Sequence, residues 1–149
     1  MTQFFQFEAD FVDSLRCIPM LVRYKLDTCG VKLKLPHWNH FTAEERQSLV
    51  EMPCTTESEI EVYRSHLRQQ VQAQTGELPS DLPIDDQPEW MREVIPASVQ
   101  AQGQTVGVEV TVEQWVKLTP LQRFVLIKLS RSQHENKNFL PALKEFGLA

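Results

Sequence analysis

One segment of this chain occurs twice, and no other feature constrains its fold as much. Shifted by 77 positions, residues 18–52 and 95–129 align without a gap. Ten of the 35 aligned positions are identical: Ile18/Ile95, Pro19/Pro96, Val22/Val99, Thr28/Thr105, Gly30/Gly107, Val31/Val108, Trp38/Trp115, Thr42/Thr119, Arg46/Arg123 and Leu49/Leu126. Unrelated segments of this length would share about two. Two copies are too few for a solenoid, whose units are stacked in longer arrays. The expectation is a mostly α protein of two tandem helical repeats with pseudo-twofold symmetry. A single compact domain of residues 1–149 would hold both repeats, about 7–76 and 92–149, and a chain of 149 residues is long enough to bury such a core.

The repeated residues carry local instructions. Pro19 and Pro96 suit the first turn of a helix, where a missing N–H costs nothing. From Pro19 the apolar positions Val22 and Leu26 follow helical spacing, and Gly30 is placed to enter the left-handed region that ends a helix. Residues 31–35 and 108–112 then alternate apolar and polar in the same phase. This predicts two half-buried strands that pair with each other as a short antiparallel ribbon between the repeats. Trp38 and Trp115 follow, each on a short helical turn that plugs the core. Thr42 with Glu45, and Thr119 with Gln122, are capping boxes that open the next helices, with Pro120 at a first helical position. A third box, Thr56 with Glu59, opens a helix to about Thr75 whose inward stripe is Ile60, Tyr63, Leu67 and Val71, with Gly76 after it. Residues 7–16 predict a first helix with Phe11 and Leu15 on one face. Residues 136–146 predict a last one with Phe139, Leu140, Leu143 and Phe146 inward and Pro141 in its first turns. The stretch from Pro120 to Ser130 is apolar nearly all round, the mark of a centrally buried helix.

Between the repeats, residues 77–91 contain three prolines, five acids and neither Lys nor Arg. They read as an extended connector, with Leu78, Leu82, Ile84 and Trp90 available to staple it down. The formal charge of −5 is the charge of this connector, and the remainder of the chain is neutral. No basic cluster exists, which argues against nucleic acid, and the acidic balance argues against an anionic membrane surface. The longest apolar run is far shorter than a bilayer requires, and the N-terminus lacks a basic leader, so the expected location is cytoplasmic.

Residues with chemistry are few. Cys54 lies just before a predicted helix N-terminus, where the dipole lowers a thiol pKa, and is the candidate for a redox or sulfur-transfer role; a small packed side chain is the competing reading. Cys17 and Cys29 read as packed on apolar helical faces, and three cysteines without a CxxC spacing suggest neither a disulfide framework nor a cluster. His37 and His40 flank Trp38 at a spacing that permits metal binding, but nothing supplies a third ligand, so they read as solvated surface histidines. His66 stands alone on a helix and suggests nothing. Arg46 and Arg123, being repeat-equivalent, read as structural, each with a buried stem and a carboxylate partner. Arg131, His134, Glu135, Asn136 and Asn138 crowd into one loop between two helices, the most loaded segment of the chain and the candidate partner-binding surface. No nucleophile is paired with a base, and no phosphate-binding loop occurs. The expectation is a non-enzyme without catalytic residues, metal or cofactor.

The motif Phe5-Gln-Phe-Glu-Ala-Asp-Phe-Val-Asp-Ser-Leu-Arg-Cys-Ile-Pro-Met20 resembles the opening of the cyanobacterial nitrate reductase-associated proteins. Lys25-Leu-Asp-Thr-Cys-Gly30, Leu121-Gln-Arg-Phe-Val-Leu-Ile-Lys-Leu-Ser-Arg131, His134-Glu-Asn136 and Asn138-Phe-Leu-Pro-Ala-Leu143 resemble the same family. The resemblance covers nearly the whole chain, the connector least. It implies a small cytoplasmic protein, encoded near genes for nitrate reductase and molybdopterin synthesis. It also implies that this protein is needed for active assimilatory nitrate reductase, a molybdenum and iron–sulfur enzyme. The partner implied is the reductase polypeptide, with the molybdenum-cofactor machinery beside it. The family brings no catalytic residue set to carry over. Two other classes stay open: a thiol-based redox or sulfur-transfer enzyme, and a regulator that binds a small ligand.

Overall fold

The computed structural model describes residues 4–8, 17–133 and 135–149, and its eight α-helices and one small sheet are all among them. The chain forms two compact units. One takes Met1–Phe4 and Glu8–Ile84, the other Phe5–Phe7 and Asp85–Ala149. Of the expected first helix, only the start is described: Gln6–Glu8 is a single 3-10 turn, and Phe11 and Leu15 lie outside the described residues.

In the first unit, α1 (Met20–Cys29) starts after Pro19, which is the N-cap and so precedes the first turn by one position. Proline has no side chain to cap with, and the buried Glu8 supplies the acceptor: its Oε2 takes the Met20 N–H at 3.1 Å. Gly30, at φ +75°, ends the helix. β1 (Val31–Lys32), α2 (Leu35–His40), α3 (Ala43–Glu51), α4 (Glu57–Thr75) and β2 (Ser80–Asp81) follow. The core gathers Val22, Leu26, Trp38, Leu49, Tyr63 and Leu67 from all four helices. Two polar anchors run through it. Tyr63 donates its hydroxyl to Leu49 O at 2.8 Å. Lys25 donates to Val50 O at 2.7 Å and Met52 O at 2.6 Å, placing an ammonium on the end of α3.

The ribbon forms, but with a different partner from the one the sequence predicts. Val31 pairs with Asp81 and Lys32 with Ser80, antiparallel, and Leu82 N continues the ladder to Gly30 O at 2.8 Å. Residues 108–111 form no strand. The connector wins because the first unit holds it by side chains: Asp81 accepts from Arg64 at 2.9 Å and from Arg68 at 3.0 Å. Ile84 lies over Gly30, where a Cβ would stand 2.6 Å from its Cγ1. Leu78 remains exposed.

In the second unit, α5 (Ala97–Thr105), α6 (Val112–Lys117), α7 (Pro120–Arg131) and α8 (Phe139–Glu145) are joined by 3-10 turns at Glu89–Met91 and Asn136–Asn138. α7 is the central helix, as its apolar circumference requires; α5, α8 and both turns pack on it. Trp90 meets Phe124 edge-on at 5.1 Å. The last helix begins at Phe139, later than expected; Phe139 and Leu143 are buried, while Leu140 and Phe146 are half-buried. Its end holds residues 5–7: Phe146 packs edge-on against Phe5 at 5.4 Å, and Glu145 accepts from Gln6 N at 2.8 Å.

The same local device appears in each unit. Thr42 and Glu45 close a reciprocal capping box, as do Thr119 and Gln122. Trp38 and Trp115 are fully buried on their six-residue helices. Arg46 donates to Trp38 O and Asn39 O, each at 3.0 Å, and Arg123 donates to Trp115 O and Val116 O, each at 3.0 Å. Arg123 adds a bond to Trp90 O at 3.2 Å. The anticipated carboxylate partner is thus replaced at Arg123 by three carbonyls, because the end of a short buried helix has acceptors that water does not reach. Arg123→Met should lower unfolding stability by about 2–4 kcal/mol, and Arg46→Met, at a half-exposed site, by about 1 kcal/mol. Urea titrations followed by circular dichroism check both values and their order.

Candidate functional site

The polar loop after α7 is built around Arg131. Its guanidinium meets Glu89 as a two-pronged pair, Nη1 to Oε1 and Nη2 to Oε2, both at 2.8 Å. Its Nε donates to Ser98 Oγ at 3.1 Å, and Ser130 donates to the same oxygen at 3.0 Å. Arg131 therefore fastens the Glu89–Met91 turn and the start of α5 to the end of α7. The Arg131 hydrogen bond holds the Glu89 carboxyl below its ordinary value of 4.5, and the Arg131 pKa is raised in turn.

The other predicted residues separate from it. Ser132 Oγ accepts from Glu135 N at 2.9 Å and Glu135 O from Asn138 N at 2.9 Å, so the backbone there is locked into a turn. Asn136 and Lys137 project into solvent, Glu135 and Asn138 are half-buried, and His134 lies outside the described residues. Sequence reading missed Glu89 and Ser98, which stand 42 and 33 positions from Arg131 with no periodicity linking them.

The thiols are inward. Cys54 is buried, with Sγ 3.8 Å from Lys25 O, and burial pushes it up to about 11 against a smaller lowering by Lys25. Desolvation thus outweighs the helix-dipole effect expected from its position. Cys29, the last residue of α1, is pushed up to about 12, again by burial. Cys17 sits half-buried in a bend before α1, so it occupies no helical face.

The histidines depart from expectation too. His37 is buried, and its Nδ1 accepts from Lys34 N at 3.4 Å, capping α2 from within. His40 is exposed, donating to Pro36 O at 2.7 Å. On α4, one turn apart, His66 Nε2 and Gln70 Nε2 are buried without a hydrogen-bond partner. They line a groove of about 380 Å³ whose opposite wall carries Glu44, Glu45 and Ser48. Only burial, invisible in one sequence, distinguishes this pair from ordinary polar helix residues. Among the described residues, no three His, Cys, Asp or Glu side chains gather where they would hold a metal ion. No helix among them is long and apolar enough to cross a membrane.

Two measurements test this geometry. At pH 8 a thiol of pKa near 11 is only about one-thousandth thiolate. Iodoacetamide should therefore modify Cys17 first in the folded protein and reach Cys29 and Cys54 only after denaturation, as read by peptide mass mapping. Glu89 is a carboxyl with a depressed folded-state pKa, so its stabilisation is complete above the unfolded value of 4.5 and fades as pH falls through the folded value. Glu89→Gln should cost about 0.5–1 kcal/mol at pH 7, and the difference from the parent should narrow as the pH is taken below 4.5. Urea midpoints at the two pH values check it.

Comparison with known proteins places the chain. A search of curated proteins gave no match, and a search of solved structures gave none either. The family model described as conserved nitrate reductase-associated protein matches residues 4–146. That span contains both copies of the repeated segment, 18–52 and 95–129, and the connector between them, and the chain belongs to the nitrate reductase-associated protein family.

Proposed function

We propose that this protein is a non-enzymatic accessory factor for maturation of assimilatory nitrate reductase, acting in the cytoplasm by binding the reductase polypeptide or assisting its cofactor loading beside the molybdenum-cofactor machinery. The observation that carries the reading is the family match across residues 4–146. The side-chain chemistry agrees with it. Two of the three thiols are buried with raised pKa values, which favours association over thiol chemistry. The exposed Asn136 and Lys137 stand on a turn that the bonds of Ser132 and Glu135 close, an arrangement suited to contact with another surface.

Deleting the gene and measuring reductase protein, bound molybdenum and activity separately tests the reading. The expected result is reductase polypeptide present, molybdenum content and activity both reduced, and recovery with the parent gene. Normal activity in the deletion strain overturns it. So does full protein and metal with activity lost, which points to a role after maturation.

A further inference from the structure

The two copies of the repeated extended stretch are in different states. Gly30, Val31, Lys32 and Leu33 align with Gly107, Val108, Glu109 and Val110. Both glycines have φ +75° and both stretches lead into a tryptophan helix. In the first unit the stretch is covered. Gly30 O accepts from Leu82 N, β1 pairs with β2, Ile84 lies on Gly30, and Val31 is 0 % exposed.

In the second unit the cover is missing. Val108 N bonds to Gly103 O, but the Gly107 carbonyl and both backbone groups of Glu109 make no hydrogen bond among the described residues. A Cβ on Gly107 would meet nothing within 4 Å, and Val108 is only half-buried. Gln100, Gln104, Gly107, Val108, Glu109 and Val110 line a groove of about 590 Å³ along this edge. Extended backbone with unpaired N–H and C=O groups is a template for an added strand, and the glutamine amides opposite offer further donors and acceptors.

We propose that this edge is a docking site for an extended, basic segment of a partner polypeptide, which adds antiparallel to it as the connector adds to β1. Charge selects the occupant. In the first unit the acid of the covering strand, Asp81, is held by Arg64 and Arg68, while Lys32 faces Ser80. In the second unit Glu109 replaces Lys32 and is exposed. The complement is a Lys or Arg opposite Glu109. The connector of a second copy, with five acids and no base, is the wrong partner. Register sets a second requirement. Ser80 stands opposite Lys32 and Ile84 over Gly30. The docking segment therefore needs its basic residue opposite Glu109 and an aliphatic residue four positions later, over Gly107. This site follows from the repeat geometry and holds whichever polypeptide supplies the strand.

The probe is a peptide copying residues 78–86 with Ser80→Lys, Asp81→Thr, Asp85→Lys and Asp86→Lys, titrated into the full, nitrogen-15-labelled chain. The amide signals of Gly107, Val108, Glu109 and Val110 should shift and saturate with Kd of about 0.1–1 mM. Glu109→Lys should weaken this peptide by about tenfold or more and gain binding of the unmodified acidic peptide; Glu109→Gln should weaken it by about threefold. The proposal is overturned by no shift at these amides up to millimolar peptide, by shifts centred on Val31 and Lys32, or by equal affinity in the Glu109 variants. Concentration-dependent shifts at the same amides without peptide also overturn it, since they assign the edge to a second copy of the chain.

Discussion

Six-residue helices do not stand alone in water, because most of their carbonyls have no partner within the helix. This protein uses two of them to carry its largest buried side chains, Trp38 and Trp115. What makes that possible is the guanidinium of the next helix, returned eight residues later onto the carbonyl of the tryptophan itself. The same carbonyl also accepts from the backbone of Phe41 or Leu118, so each tryptophan carbonyl takes two donors. Arginine suits the task because its planar fork reaches two carbonyls one residue apart while its face lies over the indole, at 5.8 Å for Arg46 and 6.0 Å for Arg123. A capping threonine one residue after the turn then fixes the direction of the following helix. In the second unit the clamp reaches further: Arg123 holds Trp90 O, and the Trp115 indole donates to Arg92 O.

The copies diverge where the helix after the clamp ends, and the difference is chemically consistent. α3 stops at Glu51 because Met52 precedes Pro53, and a residue before proline avoids the helical region. Its last carbonyls would be left in the core, and Lys25 takes those of Val50 and Met52. The position aligned with Pro53 is Ser130, so α7 runs on to Arg131, and the carbonyl aligned with that of Val50, Ile127 O, stays within the helix and also accepts from Ser130 Oγ at 2.8 Å. The residue aligned with Lys25 is Gln102, and no ammonium is needed there. One proline thus separates a helix that requires a buried cation from one that does not.

Features written within four residues were legible in the sequence: the boxes at Thr42, Thr56 and Thr119, the glycine end of α1, the tryptophan plugs and the central α7. The error at residues 108–112 was also local. A five-residue alternation masked a fourth box, Thr111 with Gln114, whose reciprocal bonds start α6 and cut the expected strand short. Features set by distant pairs were not legible. The partner of β1 is chosen by Asp81 with Arg64 and Arg68, and Arg131 is tied to Glu89, and neither association leaves a period in the chain. His37 was misjudged because burial reverses what residue type and helix position alone suggest, and burial likewise outweighs helix position at Cys54.

The acidic connector changes meaning once its carboxylates are placed. Asp81 is held by Arg64 and Arg68 of the first unit. Asp85 lies 3.6 Å from Arg92, and Glu89 is paired with Arg131, both within the second unit. Among the described residues only Glu77 and Asp86 of its five acids have no ion pair. An acidic run read as an extended connector therefore places most of its charge against its own chain. Its front half completes the sheet of one unit and its back half closes the clamp of the other. Glu109, on the repeat edge that the connector does not cover, is likewise exposed and without an ion pair among the described residues.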